Sequence, residues 1–170
     1  MTNKGLFNWT VWISVWSAVY TLLYLISPLA QYGVVYCTFV GLPIYFLSGA
    51  KKEEFLNFAV SFVTGVAWGW FYIFCINKLV AATGMSSPLA SALVILVVTI
   101  VCVGFHFIVT PNTVFNKVPA MFGGIAMMFS TGGTKVVPVA VTLVFGVCLA
   151  FLCNLGLRFL DEEGNWCKFH

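Results

Sequence analysis

Residues 55–79 read FLNFAVSFVTGVAWGWFYIFCINKL, and residues 136–160 read VVPVAVTLVFGVCLAFLCNLGLRFL. Shifted by 81 positions, Ala59, Val60, Val63, Gly65, Val66 and Leu79 meet Ala140, Val141, Val144, Gly146, Val147 and Leu160 as identities, and Ser61 meets Thr142. Six identities in the twenty-one positions from Ala59 onward exceed the roughly two that so biased a composition gives by chance. One residue of slippage, an offset of 82, pairs Gly41 with Gly123 and Ser48 with Ser130. The chain reads as an internal repeat, and the repeated material is apolar.

Of 170 residues, 61% are hydrophobic and 8% charged, whereas roughly 25% of residues in soluble domains carry charge. No Asp, Glu, Lys or Arg occurs from Gly5 to Ala50 or from Leu79 to Asn116, and each gap far exceeds the roughly 20 residues a membrane helix needs. These runs define an all-α integral membrane protein with the lipid bilayer as its first partner. The net charge of +3 comes from eight scattered Lys and Arg residues. No basic patch can neutralise a phosphate backbone, which excludes nucleic acid as a partner. The first apolar run outlasts a signal-peptide core and lacks a small-residue cleavage site before Pro28, so it reads as a retained helix. Cys37, Cys75, Cys102, Cys148 and Cys153 sit in apolar stretches and Cys167 in the tail, with no disulfide framework or CxxC metal spacing.

Charges, Pro and Gly divide the chain into six segments: about Leu6 to Ile26, Ala30 to Leu47, Phe55 to Asn77, Pro88 to Val109, Val118 to Ser130 and Val136 to Leu160. The second carries Gly41-Leu42-Pro43, which predicts a broken helix. The fifth contains Pro119 and Gly123-Gly124, and at 1.5 Å per residue it reaches about 20 Å of a roughly 30 Å hydrocarbon core. It must re-enter, tilt into a protein-lined cavity, or recruit helical turns from residues 112–117. Three crossings per repeat, an odd number, insert the second copy from the opposite face. The fold expectation is therefore two inverted three-helix repeats, residues 1–87 and 88–160, with broken or short second and fifth segments and a solvated polar tail at 161–170. Lys4, Lys51, Lys52, Lys117, Arg158 and Lys168 fall on one side, and Lys78 and Lys135 on the other. Six against two puts both termini in the cytoplasm.

Inverted repeats with discontinuous helices are the plan of many channels and transporters, where backbone freed at a break survives only against protein or a water-filled cavity. The expected breaks are Gly41, Pro43, Pro119, Gly123 and Gly124. Asn57, Ser61, Thr64, Trp68 and Tyr72 share one face of the third segment. That stripe faces the bundle, either lining a polar path or joining helices through Ser, Thr and Asn bonds worth about 0.6 kcal/mol each. His106, near the end of the fourth segment, is either a satisfied structural histidine or one that gates a pore or relays a proton. Asn154 shares the small-residue face of Gly146 and Ala150. Pore or solute-binding candidates are thus Asn57, Ser61, Thr64, Trp68, His106 and Asn154.

Gly65 and Gly69, with Gly146 and Ala150, form small-xxx-small seams expected to be contact surfaces. The stripe Trp9, Trp12, Trp16 and Tyr20 is expected to pack against another helix or subunit. Asn112-Thr113 and residues 130–134 flank the fifth segment with hydroxyls and backbone suited to an anion. One histidine in the spans and no membrane carboxylate leave too few parts for an enzyme, and no cofactor or metal site is read.

YCTFVGLPIYF (36–46), TGVAW (64–68) and VPAMFGGIAMMF (118–129) resemble the small bacterial inner-membrane proteins grouped as domain of unknown function 1097, the YcdZ-like proteins. The similarity runs from about Val15 to Leu160 in order and spacing, with Ala120 where the family pattern has Gly. The resemblance implies a multi-pass protein of the bacterial cytoplasmic membrane and carries over no substrate and no functional residue.

The functional expectation is a small inner-membrane channel or facilitator, assembled as a homo-oligomer, for a small neutral or weakly acidic solute. Six short helices leave little protein to shield a pore, which motivates the oligomer. The alternatives are an accessory or scaffolding subunit and a secondary transporter.

Overall fold

The computed structural model describes residues 1–167, whose regular structure is helical apart from one isolated antiparallel bridge between Leu160 and Trp166. Lys168 lies outside the described residues. The helices are α1 (Asn3–Ile26), α2 (Thr38–Leu47), α3 (Phe55–Thr83), α4 (Ser87–Gly104), α5 (Val118–Ser130) and α6 (Val136–Leu155). With their adjoining turns, four stretches are long and apolar enough to cross a membrane: Asn3–Ile26, Lys52–Thr83, Ser87–Val109 and Val136–Phe159. The short members are α5, of thirteen residues, and Val35–Leu47, which matches it in length once the 3-10 turn Val35–Cys37 is joined to α2.

The expected breaks are corrected. Gly41 and Pro43 lie inside α2, and Gly123 and Gly124 inside α5, so both helices pass through them. Pro119 sits in the first turn of α5, where its missing N–H has no intrahelical partner to lose. Discontinuities fall earlier, in residues 27–37 and 110–117. Ser27 and Pro28 end α1, and Gly33 adopts φ 61°. Residues 110–117 form turns rather than the extra helix that would lengthen α5.

These glycines mark close approach. A Cβ on Gly41 would overlap the Leu143 carbonyl and meet Gly146 Cα at 3.2 Å, and a Cβ on Gly124 would overlap the Phe62 carbonyl and meet Val66 N at 2.7 Å. The expected seams are where Gly65 takes the Met121 backbone, Gly69 takes Met128 and Ile125, and Gly146 takes Thr38 and Gly41. In lipid there is no hydrophobic force between helices, so van der Waals contact at such seams holds them together. From these contacts α2 runs parallel to α6, and α5 parallel to α3, while α3 and α6 cross antiparallel. α1 flanks α6 and α4 flanks α3. Two cores result: one around Tyr45, Phe62, Leu143 and Val147, the other around Tyr72, Val98, Met121 and Ile125.

Both short helices end alike. Ser48, Gly49 and Ala50 N–H donate to Tyr45, Phe46 and Tyr45 carbonyls, and Thr131, Gly132 and Gly133 N–H donate to Met128, Phe129 and Met128 carbonyls.

Of the tail, expected to be solvated, residues 168–170 lie outside the described residues, and residues 161–167 are docked. Gly164 is buried, with φ 85°, and its carbonyl accepts from Asn8 Nδ2 at 2.9 Å. Thr2 Oγ1 donates to the Glu163 carbonyl at 3.0 Å, and Lys4 Nζ to Asn165 Oδ1. Asp161 Oδ1 accepts from Asn165 N–H at 2.7 Å. A left-handed glycine and a short carboxylate-to-backbone bond close the turn, and its carbonyls then meet the side-chain donors of Thr2 and Asn8. The N-terminus and the tail therefore lie together at one end of the bundle.

Candidate functional site

The polar side chains of the spans gather in two places. In the first, α3 faces the loop that leads into α5. Glu54 Oε1 accepts from Lys117 Nζ at 2.6 Å, and the ammonium also lies 5.2 Å from the Phe58 ring centroid. Asn57 Nδ2 donates to Asn116 Oδ1 at 3.2 Å. Ser61, fully buried, donates to the Val114 carbonyl at 3.4 Å and accepts from Lys117 N–H at 3.2 Å. Spaced by three and then four residues, Glu54, Asn57 and Ser61 thus hold residues 114–117 at three levels.

His106 completes this cluster. The helix widens into a π turn at Phe105–Val109, a local geometry frequent at functional sites. His106 is 1% exposed. Trp68 Nε1 donates to its Nε2 at 3.3 Å, and its Nδ1 lies 2.8 Å from the Phe115 carbonyl. An indole N–H has no acceptor capacity, so Nε2 is the acceptor and the proton sits on Nδ1, donated to Phe115. Both ring nitrogens are used, and the ring ties α3, α4 and the loop together.

The second place is a chain of hydroxyls among α1, α2 and α6. Tyr20 and Thr38 share a hydrogen bond of 2.5 Å, Thr38 Oγ1 donates to the Thr142 carbonyl at 3.2 Å, and the Tyr24 and Thr142 hydroxyls lie 3.5 Å apart. Thr38 and Thr142 are fully buried. The aromatic stripe of α1 packs on α6, with Trp9 and Trp12 donating to the Cys153 and Leu152 carbonyls, each at 3.0 Å. At the end of the bundle remote from the termini, Lys135 Nζ donates to the Tyr32 carbonyl at 2.6 Å, and the Tyr36 and Ser130 hydroxyls lie 3.3 Å apart.

The structure brings Asn57, Ser61, Trp68 and His106 together. Thr64 donates to its own Val60 carbonyl and faces a groove with Trp68, Ala67, Phe71 and Val101. Asn154 stands apart, donating to the Gly49 carbonyl at 3.1 Å and so fixing the α2–α3 loop to the end of α6. Ser130, Thr131 and Thr134 hydroxyls each donate to nearby backbone carbonyls. Thr38 and Thr142 were not among the sequence candidates, although Thr142 is the repeat image of Ser61, which was singled out.

Several grooves open laterally, and two of them lie beside α6 and α3. One, of about 310 Å³ between α1 and α6, is lined by Trp16, Val19, Tyr20, Phe145, Cys148 and Leu149 among others. The other is the Trp68 groove between α3 and α4, of about 410 Å³. Among the described residues no three His, Cys, Asp or Glu side chains gather as a metal ion requires, and the six cysteines are free thiols.

A family model described as Protein of unknown function (DUF1097) matches residues 10–156. No curated protein and no solved structure matches the chain.

Proposed function

We propose that this chain, which belongs to the DUF1097 family, is a small facilitator for neutral or weakly acidic solutes in the bacterial cytoplasmic membrane. In this reading two oppositely inserted three-helix repeats, residues 1–87 and 88–160, form each subunit and several subunits form the assembly.

One observation carries the reading: contacts in the first half have images in the second when α1, α2 and α3 are exchanged for α4, α5 and α6. Gly41 on Leu143 and Gly146 corresponds to Gly124 on Phe62 and Gly65. The Tyr20–Thr38 bond corresponds to the contact of Cys102 Sγ with Met121 Sδ at 3.5 Å. Thr64, Ala67, Trp68 and Phe71 of one groove are the images of Phe145, Cys148, Leu149 and Leu152 of the other. The register this implies for the short helices is 83, pairing Gly41 with Gly124 rather than with Gly123. Such pseudo-symmetry is the usual frame of alternating or gated membrane paths.

The polar clusters then act as ties. Glu54 and Lys135 are repeat images, and each holds the loop that precedes the other repeat's short helix. With both ties made the path is shut, and release at one end frees the entry of one short helix. No Asp, Glu, Lys or Arg stands in the middle of the spans to compensate an ion, which favours uncharged cargo.

Proteoliposome flux tests the proposal. Reconstituted protein should speed entry of at least one of urea, glycerol, a short carboxylic acid or ammonia over protein-free vesicles. A folded preparation impermeable to all four overturns it. The accessory-subunit reading is favoured by one fact, that Asn57, Ser61, Trp68, His106 and Asn154 are all bonded within the fold. Mild-detergent extraction separates the two, since a scaffold co-purifies with a different chain and a facilitator with itself.

A further inference from the structure

We infer that the α3–α6 seam holds an anionic phospholipid, with its headgroup at Lys51 and Lys52 and a chain lying on Cys148. A groove of about 500 Å³ is lined there by Lys52, Phe55, Leu56, Cys148 and Phe151. Cys148 also lines the Trp16–Tyr20 groove, so an apolar trough continues along α6 away from the lysines. From the loop toward the bundle centre the lining passes from Lys52 to Phe55, Leu56 and Phe151 and then to Cys148 and Phe145, a cation first and apolar side chains after it, which is the order of headgroup and chain in a leaflet. A soluble ligand has no use for the apolar length, and a neutral lipid has none for the lysines.

The lysines are free for this role. Lys4, Lys117 and Lys135 spend their ammonium groups on Asn165, Glu54 and the Tyr32 carbonyl. Lys51 and Lys52 make no side-chain hydrogen bond or ion pair among the described residues, and both are exposed. Glu53 offsets one of these charges and Glu54 is taken by Lys117, so the rim stays cationic. A basic rim over a seam between membrane helices is the physical pattern for an anionic headgroup, at about 1 kcal/mol per Lys near the surface.

Native mass spectrometry of the purified chain in mild detergent tests the site, with phosphatidylglycerol and phosphatidylcholine of equal chain length offered together. The wild-type chain should retain phosphatidylglycerol in preference. Lys51→Gln with Lys52→Gln should reduce that preference roughly fivefold for each lysine removed, while Lys78→Gln, at the other end of α3, leaves it unchanged. Cys148→Trp, filling the trough, should reduce retention of both lipids. Equal retention of the two lipids by wild type, or an undiminished preference in the double lysine variant, overturns the inference. The lysine variant decides alone if Cys148→Trp fails to fold, because both lysines are exposed and their side chains make no hydrogen bond or ion pair among the described residues.

Discussion

Gly41 and Gly146 meet backbone to backbone: a Cβ on Gly146 would stand 2.9 Å from Gly41 Cα and overlap the Thr38 carbonyl. Gly65 stands in the same relation to Met121. Gly146→Ala and Gly65→Ala should each cost about 1–3 kcal/mol, because backbone rather than a flexible side chain must move. Gly123→Ala should cost less, since its nearest neighbours are the Phe62 ring edge at 2.8 Å and the Ile44 methyl at 3.0 Å. Gly104→Ala meets nothing within 4 Å and should be neutral or stabilising by up to about 1 kcal/mol. Unfolding of the purified variants in mixed micelles ranks the four.

Trp68→Phe removes the donor to His106 Nε2 and should cost about 1 kcal/mol, more if no water replaces it. His106→Leu removes both partners, so a double-mutant cycle should show that the two changes are not additive. In the histidine-labelled wild-type chain, the nitrogen chemical shifts of His106 should report the Nδ1–H tautomer.

Glu54→Gln weakens the tie to Lys117, whose partners are 32% and 21% exposed. The stability cost should stay within about 1 kcal/mol. Solute flux, read by light scattering after an osmotic jump, should rise, and Lys135→Met should raise it from the other end.

Asp161 accepts backbone and side-chain bonds from Asn165, which hold its carboxyl below the usual value of 3.8. The ionised form is the one bonded, so its support for the tail is complete above the ordinary carboxylate range. That support fades as the pH falls through the lowered value. Hydrogen exchange at Asn165 and in residues 3–8 should accelerate only as the pH falls below 3.8, after correction for intrinsic rates, and Asp161→Asn should bring the acceleration up to neutral pH.

The boundaries of α5 were legible because Pro119 and the hydroxyls after Met128 punctuate it on both sides. The seam glycines Gly65, Gly69 and Gly146 were legible from their spacing. Gly41 and Gly124 were misread as breaks. A glycine serves a broken helix and a close crossing equally well, and only the partner, Gly146 or Phe62, distinguishes the two. The same limit hid the work of the polar stripe. Asn57 and Ser61 were recognised as facing inward, but their partners Asn116 and Val114 sit more than fifty residues away on a loop without periodicity. Trp68 and His106 are 38 residues apart, and nothing local links them.

The tightest pairings, α2 with α6 and α5 with α3, each join the two halves of the chain. During synthesis α3 therefore leaves the ribosome with its glycine seam uncovered, and stays so until α5 emerges some forty residues later. Assembly must finish late and all at once. Neither half expressed by itself would have a native surface to fold against, whereas the two co-expressed as fragments would.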